Sequence, residues 1–258
     1  MRNLIIVIAL VLVLLGGLWL ASDRSAGDRE VPLPGAEPVP VPGPRPAEPA
    51  RRPQPMPVAE PAIVLPDLDA SDPFLRERLA GVELPQNWID RDDLVRRLAV
   101  VIENAARGEY PRRQLGFLAP SGRFRVVERQ GRLFVDPDNY RRFDGYLDVL
   151  EGLDPRTAAE LLSLIEPLLA VAMGELGSDG SVSDQIDAAV AEVMAVPDVV
   201  GEVELAQPKV LYEYADPALE ALSPLQKQVL RMGPENAARL KRYVAEMAVA
   251  LQPDPSDG

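Results

Sequence analysis

The chain has 258 residues, 40 Asp or Glu against 27 Lys or Arg, 27 Pro, and neither Cys nor His, for a net charge of −13. The missing Cys and His exclude a disulfide framework, thiolate or imidazole metal sites, and Ser-His-Asp or Cys-His nucleophiles, so no cofactor and no metal are expected. An acidic chain without a nucleic-acid-binding motif repels phosphate, which excludes nucleic acid as a partner.

The charge is arranged in blocks. Residues Met1 to Pro66 balance six Arg against six acids; Arg91 to Arg142 are net +5, Phe143 to Leu222 net −15, and Ser223 to Arg242 net +4. Blocks of opposite sign are expected to pair in ordinary solvated ion pairs around the acidic middle. A sharper reading gives a basic face for an anionic envelope polymer and an acidic face for a basic partner.

In chain order, Leu4 to Ala21 (LIIVIALVLVLLGGLWLA) carries no charge and no proline. At about 1.5 Å per residue it spans roughly 27 Å, near the ~30 Å hydrocarbon core of a bilayer. Cleavage after Ala21 or Ala26 would place Trp19 or Arg24 at the −3 position, where a small residue is needed. Residues 1–22 are therefore read as a retained signal anchor that meets the lipid bilayer through residues 4–21. The short N-terminal tail sets the long C-terminal part outside the cytoplasm. Residues 23–66 form a linker, with proline at every second or third position from Val31 to Pro66; proline fixes φ and removes donors, so the stretch is expected to be polyproline II-like or disordered.

The folded domain is expected over residues 67–252, with a disordered tail at 253–258. Its fold class is mainly α: a multi-helix domain with a small β-hairpin, behind one transmembrane helix and the Pro-rich linker. Ser71 or Asp72 should cap a short helix with Pro73 in its first turn. A second helix from Asn87 or Asp90 to Ala106 carries Leu94, Val95, Leu98, Val101, Ile102 and Ala105 at three- and four-residue spacing, and Gly108 lies past its end. Phe124, Val126, Leu133 and Val135 alternate around Arg129-Gln130-Gly131, the pattern of a hairpin. Asp136-Pro137 and Asp154-Pro155 each start a helix. Arg156 to Leu176 is apolar around most of its circumference, the mark of a central helix, and Pro167 inside it predicts a bend or break near Glu166. Asp179 to Asp187 resembles a calcium loop only faintly, because Asp184 stands where glycine is required and Val190 where glutamate is; Ser181 or Ser183 reads better as a cap. Asp216-Pro217 and Ser223-Pro224 start two further helices, and Gly233-Pro234 makes a corner before the last.

Three stretches carry a family resemblance: VDPDNY at Val135 to Tyr140, PKVLYEYADP at Pro208 to Pro217, and LRMGPENA at Leu230 to Ala237. With them the chain resembles the bacterial domain of unknown function 3014 family, a membrane-anchored envelope group, from about Leu65 to Leu251. It departs from the family at Ser178 to Asp187, where only Asp184 matches. The resemblance implies a tethered envelope domain; with the anchor, the expected place is the bacterial inner (cytoplasmic) membrane, single-pass, with the domain on the periplasmic or extracytoplasmic side.

The block from Gln207 to Lys241 brings charge, amide and aromatic edges onto one short corner. Its candidate binding residues are Lys209, Tyr212, Glu213, Tyr214, Arg231, Glu235 and Asn236. In one reading Arg231 and Lys209 satisfy Glu213 or Glu235, Asn236 caps a turn and the tyrosines pack with bonded hydroxyls. In the other the corner receives a peptide or glycan. The function expected is a non-catalytic binding or scaffolding module for an envelope protein or an anionic envelope polymer. The alternative is a carboxylate-based hydrolase of cell-wall glycan using Glu213 with Asp216 or Glu235. Oligomeric state is not encoded in these patterns.

Overall fold

Two hydrophobic clusters, one large and helical and one small and sheet-based, organise the computed structural model. The model describes residues 63–80, 90–111, 120 and 122–252. The expected anchor, the linker up to residue 62 and the tail at 253–258 lie outside the described residues. Everything below belongs to one compact unit of the chain, from Leu65 onward.

A 3₁₀ turn, Leu68–Ala70, leads into α1 (Ser71–Leu79), which packs against α2 (Leu94–Ala106). Neither Ser71 nor Asp72 caps α1 as the sequence suggested. The Ser71 hydroxyl turns inward and donates to Leu68 O at 2.7 Å. Asp72 reaches across to α2 and accepts from the backbone N–H of Asp93 at 2.8 Å and of Leu94 at 2.9 Å. That tertiary cap explains why α2 begins at Leu94 and not near Asp90: Asp93 sits at φ +60°, a left-handed conformation that stops the helix.

The rest of the helical body is α3 (Asp144–Glu151), α4 (Pro155–Glu175), α5 (Val182–Met194), α6 (Pro217–Glu220), α7 (Pro224–Arg231) and α8 (Gly233–Leu251). Local side-chain caps set most of the starts. Asp154 accepts from Thr157 N at 2.9 Å with Pro155 in the first turn, and Ser181 and Ser223 form reciprocal capping boxes with Asp184 and Gln226. The capping box accounts for Asp184 without any metal. Asp136 caps a 3₁₀ helix, Pro137–Phe143, that runs directly into α3, so the helix expected after Asp136 has two geometries.

α4 is the central helix, packed on α2 and α8, with Ala158, Leu161, Ile165, Leu169 and Ala172 almost wholly buried. It runs unbroken through Pro167, so of the bend or break expected there the break does not occur. Pro167 and Ser163, whose carbonyl loses its amide partner to the proline, are both exposed, a position at which solvent can take the place of the lost bond.

The expected hairpin is present but is half of the sheet. β1 (Val126–Arg129) and β2 (Arg132–Val135) pair antiparallel across Gln130 (φ +52°) and Gly131 (φ +75°), the paired positive φ values of a tight two-residue turn. Two further antiparallel strands follow in the order β1-β2-β3-β4: β3 (Glu204–Ala206), with Leu205 opposite Leu133, and β4 (Glu213–Tyr214), with Tyr214 opposite Leu205. They correct the fold reading from a hairpin to a four-stranded sheet. Strands of three and two residues are too short to show a period of two, and β3, on which β4 in turn pairs, has its own partner β2 about 70 residues away.

One face of the sheet buries Val135, Val203 and Leu205, with Phe124, Leu133, Tyr140, Tyr212 and Tyr214 packed around them. The opposite face carries ion pairs of Arg132 with Glu204 and Arg129 with Glu202. These join the basic block to the acidic one, as do Arg96 with Glu175, Arg239 with Asp148 and Glu151, Lys227 with Glu220, and Lys241 with Asp198. The expected pairing of the charge blocks is therefore how the outer surface is built.

Candidate functional site

The site begins at a glycine. Gly233 has φ +83°, which lets α7 end and α8 begin within two residues. A Cβ at this position would lie 2.4 Å from Cγ of Tyr140, so the ring of Tyr140 rests directly on the Gly233 backbone. One turn on, Asn236 is 3% exposed. Its amide N–H group donates to Asp144 Oδ1 at 2.9 Å, Tyr140 O at 3.1 Å and Met232 O at 3.3 Å. The α7–α8 corner is thus fastened to the 3₁₀ helix by contacts that span more than ninety residues of sequence.

Asn139 fastens the same 3₁₀ helix to the sheet. It is buried, accepts from Arg125 N at 2.9 Å and donates to the carbonyls of Arg125 and Asp136 at 2.7 Å each. The three stretches that carry the resemblance therefore meet in space: Asp136, Asn139 and Tyr140 from the first, Tyr212 and Tyr214 from the second, Arg231, Gly233 and Asn236 from the third.

Tyr214 stands at the centre of this meeting point. Its backbone N–H donates to Glu220 Oε2 at 2.9 Å, and Glu220 Oε1 accepts from Lys227 Nζ at 2.5 Å. The Arg231 guanidinium lies near its phenol oxygen. Burial pushes the Tyr214 phenol up to about 12, with Arg231 opposing the shift. Burial also raises Tyr140. Arg231 is half-buried and, among the described residues, has no carboxylate within ion-pair distance. Tyr212 lies beside Phe124, ring centroids 6.2 Å apart and tilted by 49°.

The candidate residues divide into two groups. Tyr212, Tyr214, Arg231 and Asn236 are built into the junction. Lys209, Glu213 and Glu235 are exposed and, among the described residues, have neither an ion pair nor a side-chain hydrogen bond. Arg231 lies beside a phenol and, among the described residues, neither it nor Lys209 pairs with Glu213 or Glu235, so the salt bridge expected inside the corner does not form. Asp216 caps α6 by accepting from Ala218 N at 2.8 Å. Among the described residues no three carboxylates gather as a metal-binding set.

The sequence reading did not select Tyr140, Glu220 or Phe124 for the site. Tyr140 carried a usable signal, as the last residue of VDPDNY; Glu220 carried none, since only the fold brings it to the Tyr214 amide.

Comparison with known proteins adds one finding. The model of the family described as "Protein of unknown function (DUF3014)" matches residues 94–248, more than half of the chain. No curated protein and no solved structure matches.

Proposed function

The chain belongs to the DUF3014 family of proteins of unknown function, and from that premise we propose that it is a binding or scaffolding module of the bacterial envelope. In this reading residues 4–21 hold it in the inner membrane as a single-pass anchor, the Pro-rich linker lifts the domain on the periplasmic side, and the corner from Gln207 to Lys241 meets the partner. The observation that carries the proposal is the division of that corner. Tyr214, Arg231 and Asn236 form its base, and Lys209, Glu213 and Glu235 project from it, unpaired among the described residues.

Rigid support under unpaired polar side chains is the arrangement of an interaction surface, in which mixed charge at the rim selects a partner. A glycan hydrolase needs one carboxyl group held protonated by burial next to a second held as carboxylate. Glu213 and Glu235 are both open to water, which favours binding over hydrolysis.

The test uses the full chain in lipid nanodiscs. Incubation with purified cell wall, and separately with solubilised envelope proteins carrying a photo-crosslinker, should give retention without release of soluble glycan. Glycan release that disappears in Glu213→Gln or Glu235→Gln would replace this reading with the hydrolase. An inert chain in both incubations would contradict the envelope partner.

A further inference from the structure

The loop between β3 and β4 presents an aliphatic side chain to water. β3 ends at Ala206 and β4 begins at Glu213, and these two residues pair with each other, so residues 207–212 close a hairpin. Val210, in that loop, is 78% exposed. The backbone beneath it is held. Gln207 donates its side-chain amide to Val210 O at 3.3 Å, Pro208 fixes its own φ, and the Tyr212 ring lies beside Phe124. Lys209 precedes Val210 and Glu213 follows it, both exposed and, among the described residues, unpaired. An exposed valine carries no meaning by itself, since single apolar side chains are common at surfaces. Val200, 96% exposed in the loop before β3, supplies the contrast. The charges on either side of it are already matched within the fold, Asp198 by Lys241 at 2.7 Å and Glu202 by Arg129. On either side of Val210 a cation and an anion are left over.

We infer that Val210 is the apolar anchor of the corner's contact and that the partner is a protein, with an apolar pocket for the valine and an acidic and a basic side chain to meet Lys209 and Glu213. The inference rests on the binding reading proposed above and names the class of partner. An apolar anchor inside a rim of mixed charge is the anatomy of a contact between proteins, in which the anchor supplies affinity and the rim supplies selection. The pinned loop helps, because little freedom is lost when it is covered. The other envelope partners fit less well. Lys209 and Glu213 cancel over residues 207–213, so the loop has no net charge with which to draw a polyanionic polymer. A glycan would have to bury hydroxyl groups against a valine that cannot hydrogen-bond them, which costs free energy.

The test uses the full chain in lipid nanodiscs and envelope material in three portions: untreated, digested with a protease, and digested with a muramidase, the enzymes being removed before mixing. Retention should survive the muramidase and vanish after the protease. Val210→Asp should lower retention at least tenfold, the loss of one buried valine, and Val200→Asp less than twofold. Both variants should melt with the parent, because both side chains face water. Should Val210→Asp shift the melting temperature, Val210→Ser is read in its place with the same expectation. A photo-crosslinking amino acid at position 210 should mark a protein that the same group at position 200 does not. Equal retention of Val210→Asp and the parent overturns the anchor and leaves the corner's charges as the contact. Retention that survives the protease and is lost to the muramidase assigns a glycan and overturns the inference with the binding reading intact. A parent chain inert on untreated material overturns both.

Discussion

In the helical body, charged side chains on neighbouring elements find one another. Arg239 of α8 donates to Asp148 and Glu151 of α3, each at 2.7 Å, and Arg96 of α2 joins Glu175 of α4 to Asp69. These contacts hold the Glu151 and Glu175 carboxyls below the usual range and raise the arginines. In the sheet corner the order is reversed. The polar groups beneath the surface meet each other, as Asn236 with Tyr140 and Asp144 and Arg231 beside Tyr214, and among the described residues Lys209, Glu213 and Glu235 above them have no partner. Surface pairs of the first kind contribute little each, roughly 0–1 kcal/mol. A buried contact such as that of Asn236 contributes more, because a stranded polar group costs its full desolvation. A region that spends its polar contacts on its own foundation and leaves its rim unmatched is suited to meeting another molecule.

The sharpest way to break that contrast is Gly233→Ala. A left-handed φ and a Cβ 2.4 Å from the Tyr140 ring should together cost roughly 2–5 kcal/mol, read as a fall in the urea midpoint of the full chain. An unchanged midpoint would mean that the corner is not fixed to the 3₁₀ helix. Asn236→Leu removes the donor from Tyr140 O, Asp144 and Met232 O and should cost about 2–3 kcal/mol.

Alkaline titration sharpens the same point. The folded-state Tyr214 phenol near 12 stands above its ordinary 10, so the folded chain holds that proton more tightly. The stabilisation is complete below about pH 10 and is lost as pH rises through about 12. Tyr214→Phe should flatten this part of the stability curve between pH 9 and 12, and an unaltered slope would contradict it. The smallest effect belongs to the helical side: Asp72→Ala, which strips the first amides of α2 of their cap, should cost about 1 kcal/mol. Hydrogen exchange at Asp93 and Leu94 should rise before any change in the sheet.

Legibility in the sequence followed the range of the interactions. Helices whose apolar residues recur at three and four, and caps that act within three residues, could be read directly at Asp136, Asp154, Ser181, Asp216 and Ser223. The Gly233 corner and the Gln130-Gly131 turn were legible for the same reason. β3 and β4 were not, because two or three residues hold no period, and β4 pairs on β3, whose own place is set by β2, far away in sequence. Asp72 read as a local cap and proved to be a tertiary one. Asn236 looked like a turn cap and instead joins three segments. The candidate residues were correctly gathered on one corner, but their roles depend on which of them the distant Tyr140 and Glu220 reach, and spacing carries no trace of that.

The account rests on the claim that the unpaired rim of the corner, and not its locked base, makes contact with the partner. The most direct measurement is a triple charge reversal in the full chain, Lys209→Glu, Glu213→Lys and Glu235→Lys, with the melting temperature and the retention on envelope material read from the same preparation. The account predicts a melting temperature within about 2 °C of the parent, since these exposed side chains have no ion pair or side-chain hydrogen bond among the described residues, together with loss of retention. Full retention by the well-folded triple variant would contradict it.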